Sequence, residues 1–505
     1  MKRVLVVAVA LLLSGCITTR YQRRGVEAPL PRPIKLTEFE NPTGGIAAQI
    51  NMEARSIEHF RDPSFDVGII EFTEEGFVNT AQETKVMEMV HKTIEDAPHG
   101  TIMVVFAHGW HHACRTCDDN LTCFRRVLNE LARDEEDSDH GKHRRVVGVY
   151  LAWRGRVFGN DLLDYTTIWN RKPVAEHIGR TGAKEVLFKL HEEWVQHAEK
   201  GNPHPVIMVS VGHSLGGAML LSAIRGRLTG NIDDIVHPGQ TGLYRIVRSA
   251  GERLPGDTTK ALRARFGDLV VLVNPAVEAA RYGELDNDLL DVRTKALNDQ
   301  ELVDHGLPLD KNLPYRSNQL PVMLTISSTD SADWPNGILF PISRVFSVFN
   351  VFGVPALPRW SELAALGHYG PSITHTLHFD DKGHAINAQK APPCGCAGDW
   401  EARIVPEQEF NVSAASQTLM AEVENRKVAY SFKLTPGRAC DDPKGGCRGW
   451  DSHSPFVVIG TDPSVISGHN DIFNPVFVGF LRMYVRAIEQ QQFNGATTRT
   501  RDAYE

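Results

Sequence analysis

Val206-Ile-Met-Val-Ser-Val-Gly-His-Ser-Leu-Gly-Gly-Ala-Met-Leu-Leu-Ser-Ala-Ile-Arg225 is the stretch on which the fold of this chain turns. Val206 to Val211 is an apolar, β-branched run that reads as a buried strand. Ala218 to Arg225 is made of good helix formers. Between them lies Gly212-His213-Ser214-Leu215-Gly216, a G-x-S-x-G turn. Strand, sharp turn and helix in that order lift a serine hydroxyl above the edge of a sheet. The glycines Gly212 and Gly216 answer a steric demand, since a Cβ at either place would meet the neighbouring strand or helix. The helix start beneath the serine adds positive potential where an oxyanion would develop.

The same alternation extends along the chain. Ile102–Phe106, Val146–Leu151, Leu269–Val273, Val322–Ile326 and Phe456–Ile459 are further apolar runs, with helix-like stretches between the earlier ones. Phe65 to Phe72 reads as a strand and Ala81 to Ile94 as a helix. Thr80 and Glu83 have the spacing of a capping box before that helix. Continuous rather than alternating apolar strands predict a sheet covered on both faces. The expected fold is therefore α/β, a mostly parallel, doubly wound sheet. Ile338 to Leu357 is apolar and aromatic but interrupted by Pro341, Arg344, Asn350 and Pro355; it reads as a lid, part of an acyl pocket or a buried helix pair. Residues 388–454 are rich in Gly, Pro and Cys, show few sheet-like runs, and read as an insertion before the last strand. No internal repeat is visible.

The Gly-His-Ser-Leu-Gly-Gly string in this context resembles the α/β-hydrolase superfamily, and its lipase and esterase branch in particular. The resemblance covers roughly residues 65–490 and implies the chain order serine, acid, histidine. It makes Ser214 the nucleophile and Gly212 and Gly216 the frame of its elbow. It also implies an oxyanion hole from the N–H of Leu215, the residue after the nucleophile, and a second donor from the His-Gly turn after an early strand. Here that turn is Ala107-His108-Gly109-Trp110, and the N–H of Trp110 is the candidate. His111 and His112 read as loop residues.

Twenty-one histidines compete for the role of base. His469 lies in Gly468-His469-Asn470-Asp471-Ile472, between the last strand and the helix-like Phe477 to Ile488. There the family keeps its base, and the G-H-N-D-I string is similar to one in a subset of bacterial and fungal hydrolases. His384 is the competitor but follows no strand. The acid should follow Val322–Ile326, where Asp330 and Asp333 both qualify. Spacing from the strand fits Asp330. Ala332-Asp333-Trp334 resembles the same subset that carries G-H-N-D-I, and Asp333 is favoured on that ground, with Asp330 as the alternative. The acid should orient the imidazole and stabilise the imidazolium. Neither a metal nor an organic cofactor is required.

At the N-terminus, Lys2 and Arg3 precede the unbroken apolar run Val4 to Leu13. Ten residues are too few for a bilayer span, which needs about 20, but suit a secretory signal. Leu13-Ser14-Gly15-Cys16 resembles the bacterial lipobox, which implies a signal peptide over 1–15 and a lipidated Cys16. With Ile17 and Thr18 after the cysteine, the likeness to Gram-negative lipoproteins favours the outer membrane of the cell envelope. Residues 16–60 read as a tether, 61–490 as the catalytic domain and 491–505 as a tail. Export permits disulfides. Beyond Cys16 seven cysteines remain, an odd number. Cys440 and Cys447 flank a turn-rich loop that suits a local bridge. Cys114, Cys117 and Cys123 stand near His108, His111 and His112, where a loop disulfide is a better reading than zinc, because no tetrahedral ligand spacing is present.

The chain has 505 residues, and roughly 150 residues per domain would suggest about three domains, but one elaborated α/β domain fits equally. A formal charge of −8, from 54 basic and 62 acidic residues, is no footprint for nucleic acid. The expected activity is hydrolysis of carboxylic esters, including lipids, by a membrane-anchored enzyme. Acyl transfer, thioester or amide cleavage would use the same triad, and a non-catalytic envelope lipoprotein is the reading from another class. Oligomeric state is not legible.

Overall fold

The computed structural model describes residues 33–37, 55–115, 118–138, 143–157, 164, 167–199, 206–236, 266–283, 285, 321–329, 331–345, 360–380, 403–406, 417–424, 428–436, 456–474, 476–486 and 488. Twelve strands among them form one sheet. In chain order they are β1 (Ile57–Phe60), β2 (Phe65–Glu71), β3 (Thr101–Ala107), β4 (Arg145–Ala152), β5 (Val206–His213) and β6 (Leu269–Val273). Then come β7 (Met323–Ser328), β8 (His375–Asp380), β9 (Arg403–Pro406), β10 (Gln417–Glu424), β11 (Val428–Pro436) and β12 (Phe456–Thr461). Across the sheet the order is β1-β2-β4-β3-β5-β6-β7-β12-β8-β11-β10-β9. From β2 to β8 every pairing is parallel. The outer pairs, β1 with β2 and β8-β11-β10-β9, are antiparallel.

The central strands are buried because both faces are covered, as the continuous apolar runs predict. Successive residues feed opposite layers. Met103 and Val105 of β3, with Val206 and Met208 of β5, pack beneath α1 (Thr80–Glu95), α3 (Ile168–Arg180), α4 (Gly182–Glu199) and α5 (Leu215–Val236). Ile102 and Phe106, with Ile207 and Val209, face α2 (Asp119–Ser138) and the helical stretch 476–486. At about 25 cal/mol per Å² of apolar surface removed from water, these layers dominate the folding free energy.

Register then positions the site. Ala107 lies opposite Gly212, His213 opposite Val273, Val273 opposite Ile326, and Ile326 opposite Ile459. Strands β3, β5, β6, β7 and β12 therefore end side by side. The loops that follow them carry Trp110, Ser214, Asn274, Asp333 and His469. This is the carboxyl edge, where open α/β sheets hold their ligands.

Three expectations need correction. The sheet begins before residue 61: β1 pairs with β2, Ile34 bridges to Phe60 and Leu36 is buried, so the tether of 16–60 is shorter than read. Three strands, β9 to β11, lie inside the supposedly sheet-poor 388–454 insertion and extend the sheet edge. The cap of α1 is Asn79, whose side chain accepts the Gln82 N–H at 3.3 Å. Glu83, the expected partner of Thr80, instead receives Lys189 from α4. Cys16, Cys117, Asp330, His384, Cys394, Cys396, Cys440, Cys447 and residues 346–359 and 491–505 lie outside the described residues.

Candidate active site

β5 delivers Ser214 into a strained turn. Its φ is +54°, in the left-handed region that costs a non-glycine residue free energy. Backbone bonds on both sides hold that conformation. Ser214 donates its N–H to Val273 O at 3.0 Å, and its own carbonyl accepts from Gly217 and Ala276, each at 3.0 Å. The turn also presses on β3: a Cβ on Gly216 would lie 2.1 Å from the Ala107 carbonyl oxygen. Leu215 opens α5, so its N–H is among the first four of the helix, which lack intrahelical partners.

His469 arrives from the loop after β12. Its Nε2 accepts the Ser214 Oγ–H at 2.9 Å, and its Nδ1–H donates to Asp333 Oδ1 at 2.6 Å. Asp333 is fully buried. Burial pushes its carboxyl up, but hydrogen bonds from His368 and His469 outweigh that and hold it below the usual range. A carboxylate that stays ionised while buried is the orienting partner a general base requires. Trp334, the residue after Asp333, opens a π-helical turn, Pro335–Leu339, whose Gly337 N–H bonds the Asp333 carbonyl at 2.9 Å.

The histidine loop is fastened at several points. Asn274, at the end of β6 with φ +43°, donates its amide to His469 O at 2.9 Å and to Gly468 O at 3.2 Å. Its Oδ1 accepts the Ser328 N–H at 2.8 Å, which ties β6, β7 and the loop together. His213 Nε2–H also donates to His469 O, at 3.0 Å. Burial and the neighbouring His469 keep His213 well below its ordinary pKa, so it acts as a neutral donor. Asp471 Oδ2 accepts both the N–H and the Oγ–H of Ser467, closing the turn that carries Gly468 and His469.

On the other side of Ser214, the turn after β3 abuts it. A Cβ on Gly109 would stand 2.8 Å from Ser214 Cβ. His108 is buried and pushed down to about 4 by desolvation. Its Nε2 accepts the Trp153 N–H at 3.1 Å, so its Nδ1 bears the proton, directed to Gly109 O at 2.9 Å. The indole of Trp153 returns a bond to His108 O. Trp110 is buried, with its indole N–H on Thr167 Oγ1 at 3.0 Å.

Of the residues singled out in the sequence, Ser214, His469 and Asp333 meet in one hydrogen-bonded chain, with Leu215, Gly212, Gly216 and the Trp110 turn around it. His112 pairs with Asp118 and Asn120, and His111 turns at φ +68° with its N–H on Gly155 O. Cys123 is disulfide-bonded and Cys114 is buried. Among the described residues no group of three or more His, Cys, Asp or Glu is arranged to hold a metal ion. Sequence reasoning missed Asn274, His213 as a donor, and His368, whose Nε2–H reaches Asp333 Oδ2 at 2.8 Å.

No protein-family model matches the chain, and no curated protein matches it in sequence. Among solved structures it is similar to phospholipase PlaB from Legionella pneumophila in complex with thio-NAD, at 10% identity and a TM-score of 0.24. That match covers 79% of this chain and 64% of the other, so the chain spans just under two thirds of that protein's length. A second structure of phospholipase PlaB from Legionella pneumophila matches at 9% identity and a TM-score of 0.19, covering 72% of this chain and 93% of the other. Likeness at this level leaves the reading of the site to its own geometry.

Proposed function

We propose that this chain is a serine hydrolase that cleaves carboxylic esters, with lipids as the substrate class, from a lipid anchor in the bacterial cell envelope. The observation that carries the reading is the chain Asp333 Oδ1, His469, Ser214 Oγ, with bonds of 2.6 and 2.9 Å, at the carboxyl edge of a parallel sheet. In this reading His469 takes the proton from Ser214 as Oγ attacks the acyl carbonyl, and Asp333 stabilises the imidazolium. The N–H groups of Leu215 and Trp110 receive the oxyanion. His469 returns the proton to the departing alcohol and then activates the water that releases the acid. No metal or organic cofactor takes part.

The lipid class rests on an exposed apolar stripe beside the acid. Trp334, Ile338, Ile342 and Val345 are spaced as one helical face, and all four are exposed, with Ile338 60% accessible. Trp360 is exposed as well. Exposed apolar residues gathered next to a reactive centre suit a water-insoluble substrate. The anchor rests on the lipobox-like Leu13 to Cys16, and favours the outer membrane.

A fluorophosphonate probe tests the reading directly. The folded protein should be labelled at Ser214, and Ser214→Ala should lose both labelling and ester turnover while keeping its fold. A folded wild-type protein that neither labels nor hydrolyses short-chain and phospholipid esters would show that the site binds rather than cuts.

A further inference from the structure

Asp333 holds two imidazoles. Oδ1 accepts the His469 Nδ1–H, and Oδ2 accepts the Nε2–H of His368 at 2.8 Å, with the Asn336 amide a longer donor to Oδ2 at 3.4 Å. Asn336 is itself fixed by a 2.8 Å bond to Asn274 O. His368 closes a short turn, Leu366–His368, which is tied down on several sides. Leu366 donates its N–H to Val277 O at 2.8 Å, Ala279 donates to Ala364 O at 3.0 Å, and Ser372 Oγ donates to Leu366 O at 2.8 Å. Gly367 is pressed on β7, where a Cβ would fall 2.0 Å from Ser327. Gly337, from the turn after Asp333, lies against the other side: a Cβ there would stand 3.3 Å from His368 Nδ1. The turn is thus clamped on β7 through Gly367, and its ring, with Gly337 against it, is aimed at one carboxylate oxygen.

Such a clamp answers a definite problem. The terminal torsion of an aspartate is broad and two-fold, so one hydrogen bond does not fix the carboxylate plane. A buried oxygen left without a donor also carries an unrecovered desolvation cost. We propose that His368 is a positioning residue: by occupying Oδ2 it turns Oδ1 toward His469, and so holds the imidazole with its Nε2 lone pair on Ser214. His368 touches no reacting atom. The inference rests on the triad reading above, and it assigns a second histidine to that triad's acid.

Two substitutions in the full chain test it. Glutamine places an amide nitrogen as many bonds from Cβ as the imidazole Nε2, so His368→Gln keeps the donor, whereas His368→Leu removes it. His368→Leu should lower kcat on a small soluble ester about 10- to 100-fold, as loss of outer hydrogen-bond partners does elsewhere, with little change in KM. His368→Gln should restore most of that loss. The low-field proton resonance of the His469–Asp333 hydrogen bond should persist in His368→Gln and broaden or move in His368→Leu. Wild-type kcat in His368→Leu would overturn the proposal. So would equal losses in both variants, which would mean that the ring serves only packing. If His368→Leu does not fold, His368→Gln decides alone: near-normal kcat with the resonance kept supports the role, and a tenfold loss ends it. Failure of the triad reading looks different, because Ser214→Ala would then leave wild-type turnover untouched.

Discussion

Asp333 Oδ1 accepts the Nδ1–H of His469, and that single bond selects the imidazole tautomer whose Nε2 can take a proton from Ser214. An amide at residue 333 would favour the opposite tautomer by offering its own N–H. Asp333→Asn should therefore cut kcat by roughly 10⁴-fold, the loss that follows when a triad acid is made a neutral amide. Asp330→Asn should stay within about threefold on the same soluble ester; tautomer selection needs contact with the imidazole. Steady-state kinetics of the two variants settles the order, and a larger loss in Asp330→Asn would transfer the role. Ser214 and His469 were legible because each sits at a junction that the chain announces: strand to turn to helix, and last strand to last helix. Asp333 and Asp330 lie three residues apart after one strand; spacing from that strand fits Asp330, and only the likeness of Ala332-Asp333-Trp334 points to the residue that meets His469. His368 carried no such signal. It is one of 21 histidines and lies in a short turn without regular periodicity, where only the fold brings it to Asp333.

At the scale of elements, the elbow depends on how closely β5, α5 and β3 approach one another. The nearest atoms to a Cβ on Gly216 are the Ala107 and His108 carbonyl oxygens, at 2.1 and 2.5 Å. These are backbone atoms of a central strand and its loop, and they cannot swing aside as a side chain would. Gly216→Ala should therefore destabilise the protein by roughly 1–3 kcal/mol, the usual cost of overpacking. It should also move Ser214 away from His469. Thermal melting and fluorophosphonate labelling rates check both, and an unchanged melting temperature with wild-type labelling would show the elbow to be looser than its contacts imply. The parallel strands were readable because burial on both faces writes an uninterrupted apolar run. β11 writes a different pattern: Val428, Tyr430, Phe432 and Leu434 alternate with Ala429, Ser431, Lys433 and Thr435. That period of two marks an antiparallel strand with unlike faces. It was masked by the glycines, prolines and cysteines around it. The start of α1 was misread by one residue, since Asn79 and Thr80 are both good caps and only the backbone decides between them.

For the whole molecule, the proposed anchor and the folded sheet are separable, because 17 residues lie between Cys16 and Ile34, which bridges to Phe60 of β1. Cys16→Ser should release the protein from the membrane fraction and leave kcat on a soluble ester unchanged; retention after a high-salt wash would refute the lipid anchor. Stability has a whole-molecule determinant of its own in the buried histidines. Desolvation pushes His108 and His375 down to about 4 from an ordinary 6.5, and His213 well below 6.5. All three stay neutral in the fold but take protons readily in the unfolded chain. Their contribution is thus fully present above pH 6.5. It is lost as the pH falls toward 4, when the unfolded state gains protons that the native state refuses. For His108 and His375 the loss reaches roughly 3 kcal/mol each at the lower limit, against a total stability that is commonly about 5–15 kcal/mol. Glu176 adds to this at lower pH. Lys172 and Arg281 overcome its desolvation and hold it down to about 2 from 4.5, so its contribution is present above pH 4.5 and disappears as the pH falls toward 2. The melting temperature should accordingly be flat above pH 7, drop steeply between pH 6.5 and 4, and continue downward below 4.5. His375 is the cleanest handle, since it lies on β8 away from the Ser214–His469–Asp333 chain. His375→Gln should flatten part of the decline between pH 6.5 and 4 while leaving ester turnover at neutral pH intact. A wild-type melting temperature that holds constant from pH 7 to 4.5 would show that these rings accept protons without opening the core.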